Sequence, residues 1–162
     1  MSCQKVVRGL RPISKEFSTL KRLNSLTGLA RRLSLRPSQR ILLVDPPSGL
    51  AEALAEEGER VVQLVEARAI RSVKEKFDAI VVWRESRIGS RAFFDTIVKR
   101  LEPDGQLWAV IAMKKVRGPQ TPSVHRLELS DLTKAFAPHG LRQDREARLS
   151  AWHVAHRFAH ST

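Results

Sequence analysis

Apolar residues near the start of the chain recur every three or four positions from Ile13 to Leu35. This spacing predicts an amphipathic helix with a break at Gly28. The other faces of the helix carry lysine and arginine. We therefore interpret residues 1–36 as a basic N-terminal extension that packs on the following domain, binds a partner or lies on an anionic membrane.

Beyond residue 36 the pattern changes to short apolar runs separated by helical stretches. The predicted strands are Arg40–Val44, Arg60–Glu66, Phe77–Trp83 and Gln106–Met113, and the predicted helices are Ser48–Glu57, Ser90–Leu101 and Ser130–Ala137 with Ser130 as cap. Residues 67–76 fit a turn of helix or a short strand. Continuous apolar runs are typical of strands buried on both faces of a parallel sheet, and their alternation with helices predicts right-handed α/β connections.

The C-terminal part differs, because the runs Leu141–Leu149 and Ala151–Phe158 follow each other closely. Such runs predict an antiparallel pair at the edge of the sheet. We expect residues 37–160 to form a three-layer, Rossmann-like α/β domain with a mostly parallel sheet and an antiparallel C-terminal hairpin.

Two stretches resemble the class I methyltransferases that use S-adenosylmethionine. Phe77–Val82 is similar to the fourth strand of that family, and Leu101–Leu107 is similar to the turn before its fifth strand. The resemblance implies the fold and carries little catalytic information.

Residues from about Leu33 to Phe158 also resemble a group of short bacterial proteins with a domain of unknown function, which are shrunken relatives of those methyltransferases. The resemblance rests on Pro47–Leu50 after the first strand, on Met113-Lys114 and on Trp152–Arg157. It implies a fold without implying a function.

Size and charge limit the possibilities. The 162 residues suffice for one domain, and charged residues interrupt every apolar run well short of the roughly 20 residues that cross a bilayer. The single cysteine, Cys3, excludes disulfides within the chain and multi-cysteine metal sites. These features indicate a cytoplasmic protein, with a mitochondrial transit peptide in the basic first 15 residues as the alternative.

The net charge of +12 is concentrated at the two ends of the chain. Residues 1–40 hold 10 basic side chains and one acidic one. Residues 41–113 hold 10 basic and 12 acidic side chains, and residues 114–162 hold 9 basic and 4 acidic ones. Clustered basic residues favour a polyanionic partner such as RNA, a nucleoprotein or an acidic protein. A solvated basic surface is the alternative.

A cofactor site would require a donor-rich turn after the first strand. The segment there is Val44–Ala51, which has one glycine and two prolines that lack N–H donors. If S-adenosylmethionine binds, the candidate residues are Asp45, Gly49 and, at the end of the second strand, Glu66. Asp45-Pro46-Pro47 also resembles the catalytic loop of amino-methyltransferases, but Ser48 stands where that loop needs an aromatic residue.

The loop after the predicted fourth run, residues 114–126, brings basic residues to the carboxyl edge of the sheet, where ligands bind. Trp83 and Arg84 share that edge and offer stacking and charge. The candidate anion-binding or nucleic-acid-binding residues are Lys114, Lys115, Arg117, Arg126, Arg84 and Trp83. No metal site is predicted, because His153 and His156 face opposite sides of a strand.

These observations favour a non-catalytic, methyltransferase-like binding or assembly module with no cofactor and no catalytic residues, whose basic ends bind an acidic partner. The alternative is a divergent S-adenosylmethionine-dependent methyltransferase.

Overall fold

The computed structural model describes residues 28–47, 50–56, 61–113, 125–150 and 153–161. The strands are β1 (Arg40–Val44), β2 (Val61–Val65), β3 (Phe77–Trp83), β4 (Leu101–Ala112), β5 (Leu141–Arg148) and β6 (His153–His160). The helices are α1 (Leu29–Arg32), α2 (Leu50–Glu56), α3 (Ser90–Val98) and α4 (Leu129–Phe136), with 3-10 turns at Ala67–Ser72 and Ala137–His139. Residues 67–76, which the sequence left ambiguous, therefore hold a 3-10 turn.

All six strands belong to one sheet in the order β2-β1-β3-β4-β6-β5. The first four strands along the chain are parallel, whereas β6 is antiparallel to both β4 and β5. The expectation of a mostly parallel sheet with an antiparallel C-terminal hairpin is confirmed.

The sheet separates two hydrophobic layers, because successive side chains of a strand point to opposite faces. On β1, Ile41 and Leu43 belong to the layer formed with α1 and α2. Leu42 and Val44 belong to the layer formed with α3 and α4. All four side chains are fully buried, which explains why β1 is a continuous apolar run in the sequence.

Helix α1 packs in the first of these layers. Leu29, Ala30 and Leu33 are buried there, although they precede the boundary expected at residue 36. The part of the predicted amphipathic helix before residue 28 lies outside the described residues. The division of the chain at residue 36 stays a prediction.

Strand β4 begins at Leu101, five positions earlier than expected. Leu101 pairs with Phe77, and the register then shifts so that Gln106 pairs with Ala79. The turn expected at residues 102–105 is therefore a bulge within the strand, and α3 ends at Val98. A Cβ on Gly105 would lie 2.6 Å from Leu101 Cδ1 and 2.9 Å from the Glu102 carbonyl oxygen, which explains the glycine.

The N-terminus of α4 also differs from the expectation, since Glu128 is the cap instead of Ser130. The backbone N–H of Glu128 donates to Asp131 Oδ2 at 2.9 Å, and the Glu128 side chain accepts from the first turn. This reciprocal capping box satisfies helix-end donors that a serine at position 130 does not reach. None of the helices within the described part of the chain is long and apolar enough to cross a membrane.

Candidate functional site

A crevice opens at the carboxyl ends of β1 and β3. From β1 the chain continues to β2 on one side, whereas β3 lies on the other side of β1. Open α/β sheets bind ligands at such a switch point in the strand order. A cavity of about 260 Å³ lies there, which we name the switch-point cavity. Its lining residues are Asp45, Pro46, Pro47, Trp83, Arg84, Glu85, Val110 and His153.

Asp45 fixes the first wall of the cavity. It adopts a positive φ of 50°, which aspartate tolerates better than most residues. Its backbone N–H donates to the Val65 carbonyl at 3.0 Å, and its Oδ1 accepts from the Ala67 N–H at 3.0 Å. Asp45 therefore joins the ends of β1 and β2 and directs Pro46 and Pro47 along the cavity.

The charges at this edge influence one another. Burial raises the pKa of Asp45 above its ordinary value, and Glu66 adds to the rise, whereas the hydrogen bond from Ala67 and the charge of Arg84 oppose it. Asp45 also keeps contact with solvent, which screens these effects. Burial lowers the pKa of Arg84, and Asp45 opposes that change. Asp45 and Arg84 thus form a long-range pair of opposite charges.

Arg84 directs its donors to its own loop. Its Nε donates to the Ser86 carbonyl at 3.0 Å and its Nη2 donates to the Ile88 carbonyl at 2.6 Å. The guanidinium carbon lies 4.4 Å from the centroid of the Phe93 ring, a cation–π contact. Arg84 therefore stabilises the loop after β3, and its role in anion binding stays a prediction.

Trp83 ends β3 and lines the cavity half-buried. Its indole Nε1 is buried, with no hydrogen-bond partner within the described residues. The ring supplies an apolar wall at the edge where stacking was predicted.

Glu85 and His153 also line the switch-point cavity. Glu85 Oε1 lies 3.8 Å from His153 Nε2. Neither residue was predicted as a site residue, because Glu85 follows β3, His153 begins β6, and no spacing motif joins them. The available signal was topological, since the start of a strand antiparallel to β4 must lie at the carboxyl edge of β4.

The other candidate cofactor residues are only partly described. Glu66 follows β2 directly, is half-buried and forms an ion pair with the exposed Arg68. It does not line the switch-point cavity, but its charge acts on Asp45, which does. Gly49 lies outside the described residues. Pro46 and Pro47 offer no backbone donors to a ligand.

Of the predicted anion-binding residues, Lys114, Lys115 and Arg117 lie outside the described residues. Arg126 is half-buried and forms an isolated antiparallel bridge with Ser86. The loop of Arg84 is therefore attached to the segment that precedes α4.

A second groove of about 440 Å³ lies between α3 and α4, and we name it the helix groove. Its charged lining residues are Arg87, Arg91, Lys134 and Asp131. The three basic side chains are exposed, and within the described residues they have no ion-pair partner. Asp131 accepts the capping hydrogen bond from Glu128.

The histidines do not gather around a metal position. His153 lies at the cavity, whereas His156 is buried and its Nδ1 lies 3.1 Å from Gln143 Nε2. In the described part of the chain no group of three or more His, Cys, Asp or Glu residues is arranged to hold a metal ion.

Comparison with known proteins gives structural matches only. No family model matches the sequence, and the search of curated proteins finds no match. Among solved structures, a SAM-dependent methyltransferase from Aquifex aeolicus is similar over 90% of this chain and 96% of its own, with a TM-score of 0.68 and 12% identity. The fold is that of the class I methyltransferases.

Two further structures with this methyltransferase fold support the assignment. Ribosomal protein L11 methylase from Lactobacillus delbrueckii subsp. bulgaricus matches 85% of this chain and 77% of its own, with a TM-score of 0.56 and 17% identity. Magnesium protoporphyrin IX methyltransferase from Synechocystis with bound SAH (S-adenosylhomocysteine) matches 96% of this chain and 90% of its own, with a TM-score of 0.60 and 10% identity. The resemblance to the short bacterial group gains no support here and stays a prediction.

The similar structure from Aquifex aeolicus is a SAM-dependent methyltransferase, and the lining of the switch-point cavity fits a cation such as the sulfonium of SAM (S-adenosylmethionine). The lining contains two carboxylates, Asp45 and Glu85, and one arginine, Arg84. A sulfonium ion carries a positive charge, which such a lining attracts. The expectation that no cofactor binds has no support in the comparisons.

Proposed function

We propose that the chain is a divergent S-adenosylmethionine-dependent methyltransferase whose cofactor binds at the switch-point cavity. The observation that carries the proposal is the cavity itself, at the ends of β1 and β3 with Glu66 next to Asp45. The alternative, a non-catalytic module without cofactor, rests on the two prolines after β1 and on the basic ends of the chain. The comparisons give it no support.

In this proposal the residues of the crevice have separate roles. Glu66, at the end of β2, accepts hydrogen bonds from the hydroxyl groups of the cofactor ribose. Asp45 places a negative charge near the sulfonium, and Trp83 supplies an apolar wall. When bound, the cofactor supplies an electrophilic methyl group.

Titration calorimetry with S-adenosylmethionine and S-adenosylhomocysteine tests this function. We expect binding with a Kd on the order of micromolar, about −8 kcal/mol. The variant Glu66→Gln should weaken both ligands about tenfold or more, because a hydrogen bond to a charged group contributes about 1.5–3 kcal/mol.

The matched control is Glu102→Gln, a change of the same type in the bulge of β4 at the opposite edge of the sheet. It should leave the affinity unchanged. At about 1 mM ligand, a binding free energy of about −4 kcal/mol would still be detected. Absence of binding by the wild-type protein at this concentration excludes the proposed function.

A second candidate function is binding of RNA along the helix groove, which would give the basic ends of the chain a common partner. It is favoured by the three exposed basic residues Arg87, Arg91 and Lys134, none of which has an ion-pair partner within the described residues. Arginine and lysine at such a groove bind phosphates and release counterions. We expect a labelled single-stranded RNA to bind with an affinity that falls steeply with salt.

The triple variant Arg87→Ala, Arg91→Ala and Lys134→Ala should reduce the slope of log K against log salt by up to about 2, at about 0.7 for each phosphate contact. The control replaces Arg71, Lys74 and Lys76, three exposed basic residues that do not line the helix groove. Equal slopes for the two variants, measured by fluorescence anisotropy, exclude this groove as the RNA site.

A further inference from the structure

The wall of the switch-point cavity contains a histidine held between a hydroxyl and a carboxylate. The histidine is His153, at the start of β6, and its neighbours are Ser150 and Glu85. A catalytic role for this group of residues depends on the proposed methyltransferase function, which by itself assigns them none.

Ser150 fixes one side of the ring. It is 3% exposed, and its Oγ accepts the backbone N–H of His153 at 3.1 Å. The same oxygen lies 3.5 Å from His153 Nδ1. A hydroxyl oxygen has two lone pairs, so Ser150 Oγ can accept both the backbone N–H and an Nδ1–H, and in that tautomer Nε2 keeps a free lone pair. In the other tautomer the Ser150 hydroxyl donates to Nδ1.

The other side of the ring faces the cavity. His153 Nε2 lies 3.8 Å from Glu85 Oε1, and both residues line the cavity with Asp45 and Arg84. From β5, Arg148 Nε donates to the Ser150 carbonyl at 3.4 Å. A carboxylate at this distance stabilises an imidazolium that forms beside it.

We propose that His153 is the proton acceptor of methyl transfer, with Ser150 and Glu85 as positioning residues. The bond between the methyl carbon and sulfur breaks as the bond to the acceptor atom forms, and the electron pair remains on sulfur. The proton released by the acceptor atom moves to His153 Nε2. The imidazolium is balanced by Glu85 until the proton passes to water.

This assignment defines the class of methyl acceptor. A base beside the reacting atom is useful when that atom carries a proton, as a hydroxyl or an amine nitrogen does. A carboxylate has already lost its proton at neutral pH and needs no such base. The acceptor is therefore a hydroxyl or amine compound.

The tautomer can be measured without cofactor or acceptor. Protein labelled with ¹⁵N at its five histidines gives separate ring-nitrogen signals in two-bond ¹H–¹⁵N spectra, and His153→Gln identifies the signal of interest. We expect neutral His153 to carry its proton on Nδ1. A proton on Nε2 in the wild-type protein overturns the proposal.

Three variants separate positioning from folding. Ser150→Ala should move the proton of His153 toward Nε2, whereas Ser150→Thr, which keeps the hydroxyl, should restore Nδ1–H. The signal of His139, whose Nε2 lies 2.7 Å from Asp95 Oδ1, serves as a control and should not move. An unchanged tautomer in Ser150→Ala contradicts the role of Ser150.

Acylation of the free ring nitrogen gives a second readout, since diethyl pyrocarbonate attacks unprotonated imidazole. We expect His153 to react and S-adenosylhomocysteine to slow its modification, as measured by peptide mass spectrometry. Failure of all cofactor binding contradicts the proposed function, while resistance of His153 to acylation contradicts this inference alone.

Discussion

Asp45 should determine the conformation of the chain where it leaves β1. Three variants, Asp45→Asn, Asp45→Ala and Asp45→Gly, separate its hydrogen bond from its backbone conformation. Asparagine keeps an oxygen for the Ala67 N–H and tolerates the φ of 50°. Alanine keeps neither property, and glycine relieves the backbone while losing the hydrogen bond.

The structure sets the expected magnitudes. Losing the acceptor for Ala67 costs about 1 kcal/mol at this exposed position, and a left-handed alanine costs about another 1 kcal/mol. Asp45→Ala should therefore destabilise the protein by about 2 kcal/mol, or about 4–8 °C in Tm for a chain of this length. Asp45→Gly should cost about half as much, and Asp45→Asn less than about 1 kcal/mol.

Urea unfolding at several pH values provides the assay. Because the folded-state pKa of Asp45 is raised, its protonated form favours folding, and this contribution is lost as pH rises from the ordinary value of 3.8 through the folded-state pKa. Asparagine does not titrate, so the free energy of unfolding of Asp45→Asn should rise relative to that of the wild type as pH rises from about 3 to about 6. If the Asp45→Ala variant is as stable as the Asp45→Asn variant, the assigned role of Asp45 is wrong.

Three further predictions concern the rest of the domain. Asp144→Asn removes a bidentate pair with Arg157, with both contacts at 2.7 Å, and should cost up to about 1 kcal/mol at pH 7 because the pair is partly exposed. The hydrogen bond from Arg157 lowers the pKa of Asp144, so the stability difference between wild type and Asp144→Asn in urea unfolding should disappear as pH falls through the folded-state pKa of Asp144. A difference that persists at low pH would show that the pair is not ionic. Burial lowers the pKa of His156, although Glu146 opposes the change, so the wild type should lose stability as pH falls below about 6.5, the ordinary value. His156→Gln should remove that loss, and an unchanged pH dependence of Tm would contradict the assignment. Gly105→Ala should cost about 1–3 kcal/mol in urea unfolding, because its Cβ would contact the backbone of the β4 bulge, and a neutral effect would show that the bulge adapts.

The sequence predicts the strands best where burial is continuous. β1 and β3 lie at the centre of a parallel sheet with both faces covered, so their apolar runs match the observed bounds. β4 is different, because Glu102 to Gly105 read as a turn and the bulge depends on pairing with Phe77. That pairing is tertiary and leaves no local pattern.

The residues of the candidate site also differ in whether the sequence predicts their positions. Asp45, Trp83 and Arg84 were placed at the correct edge because the carboxyl ends of parallel strands meet there. The contact of Glu85 with His153 leaves no local pattern in the sequence, since only the position of β6 beside β4 in the sheet brings the two residues together. The guanidinium of Arg84 donates to carbonyls of its own loop. These hydrogen bonds depend on a loop conformation that amino-acid composition does not reveal.

A crystal structure with S-adenosylhomocysteine, at a concentration that saturates the protein in solution, tests the central claim most directly. We predict ligand density in the switch-point cavity between Pro46 and Trp83, with the ribose hydroxyl groups next to Glu66. An empty cavity under saturating conditions, or ligand bound elsewhere, would contradict the account.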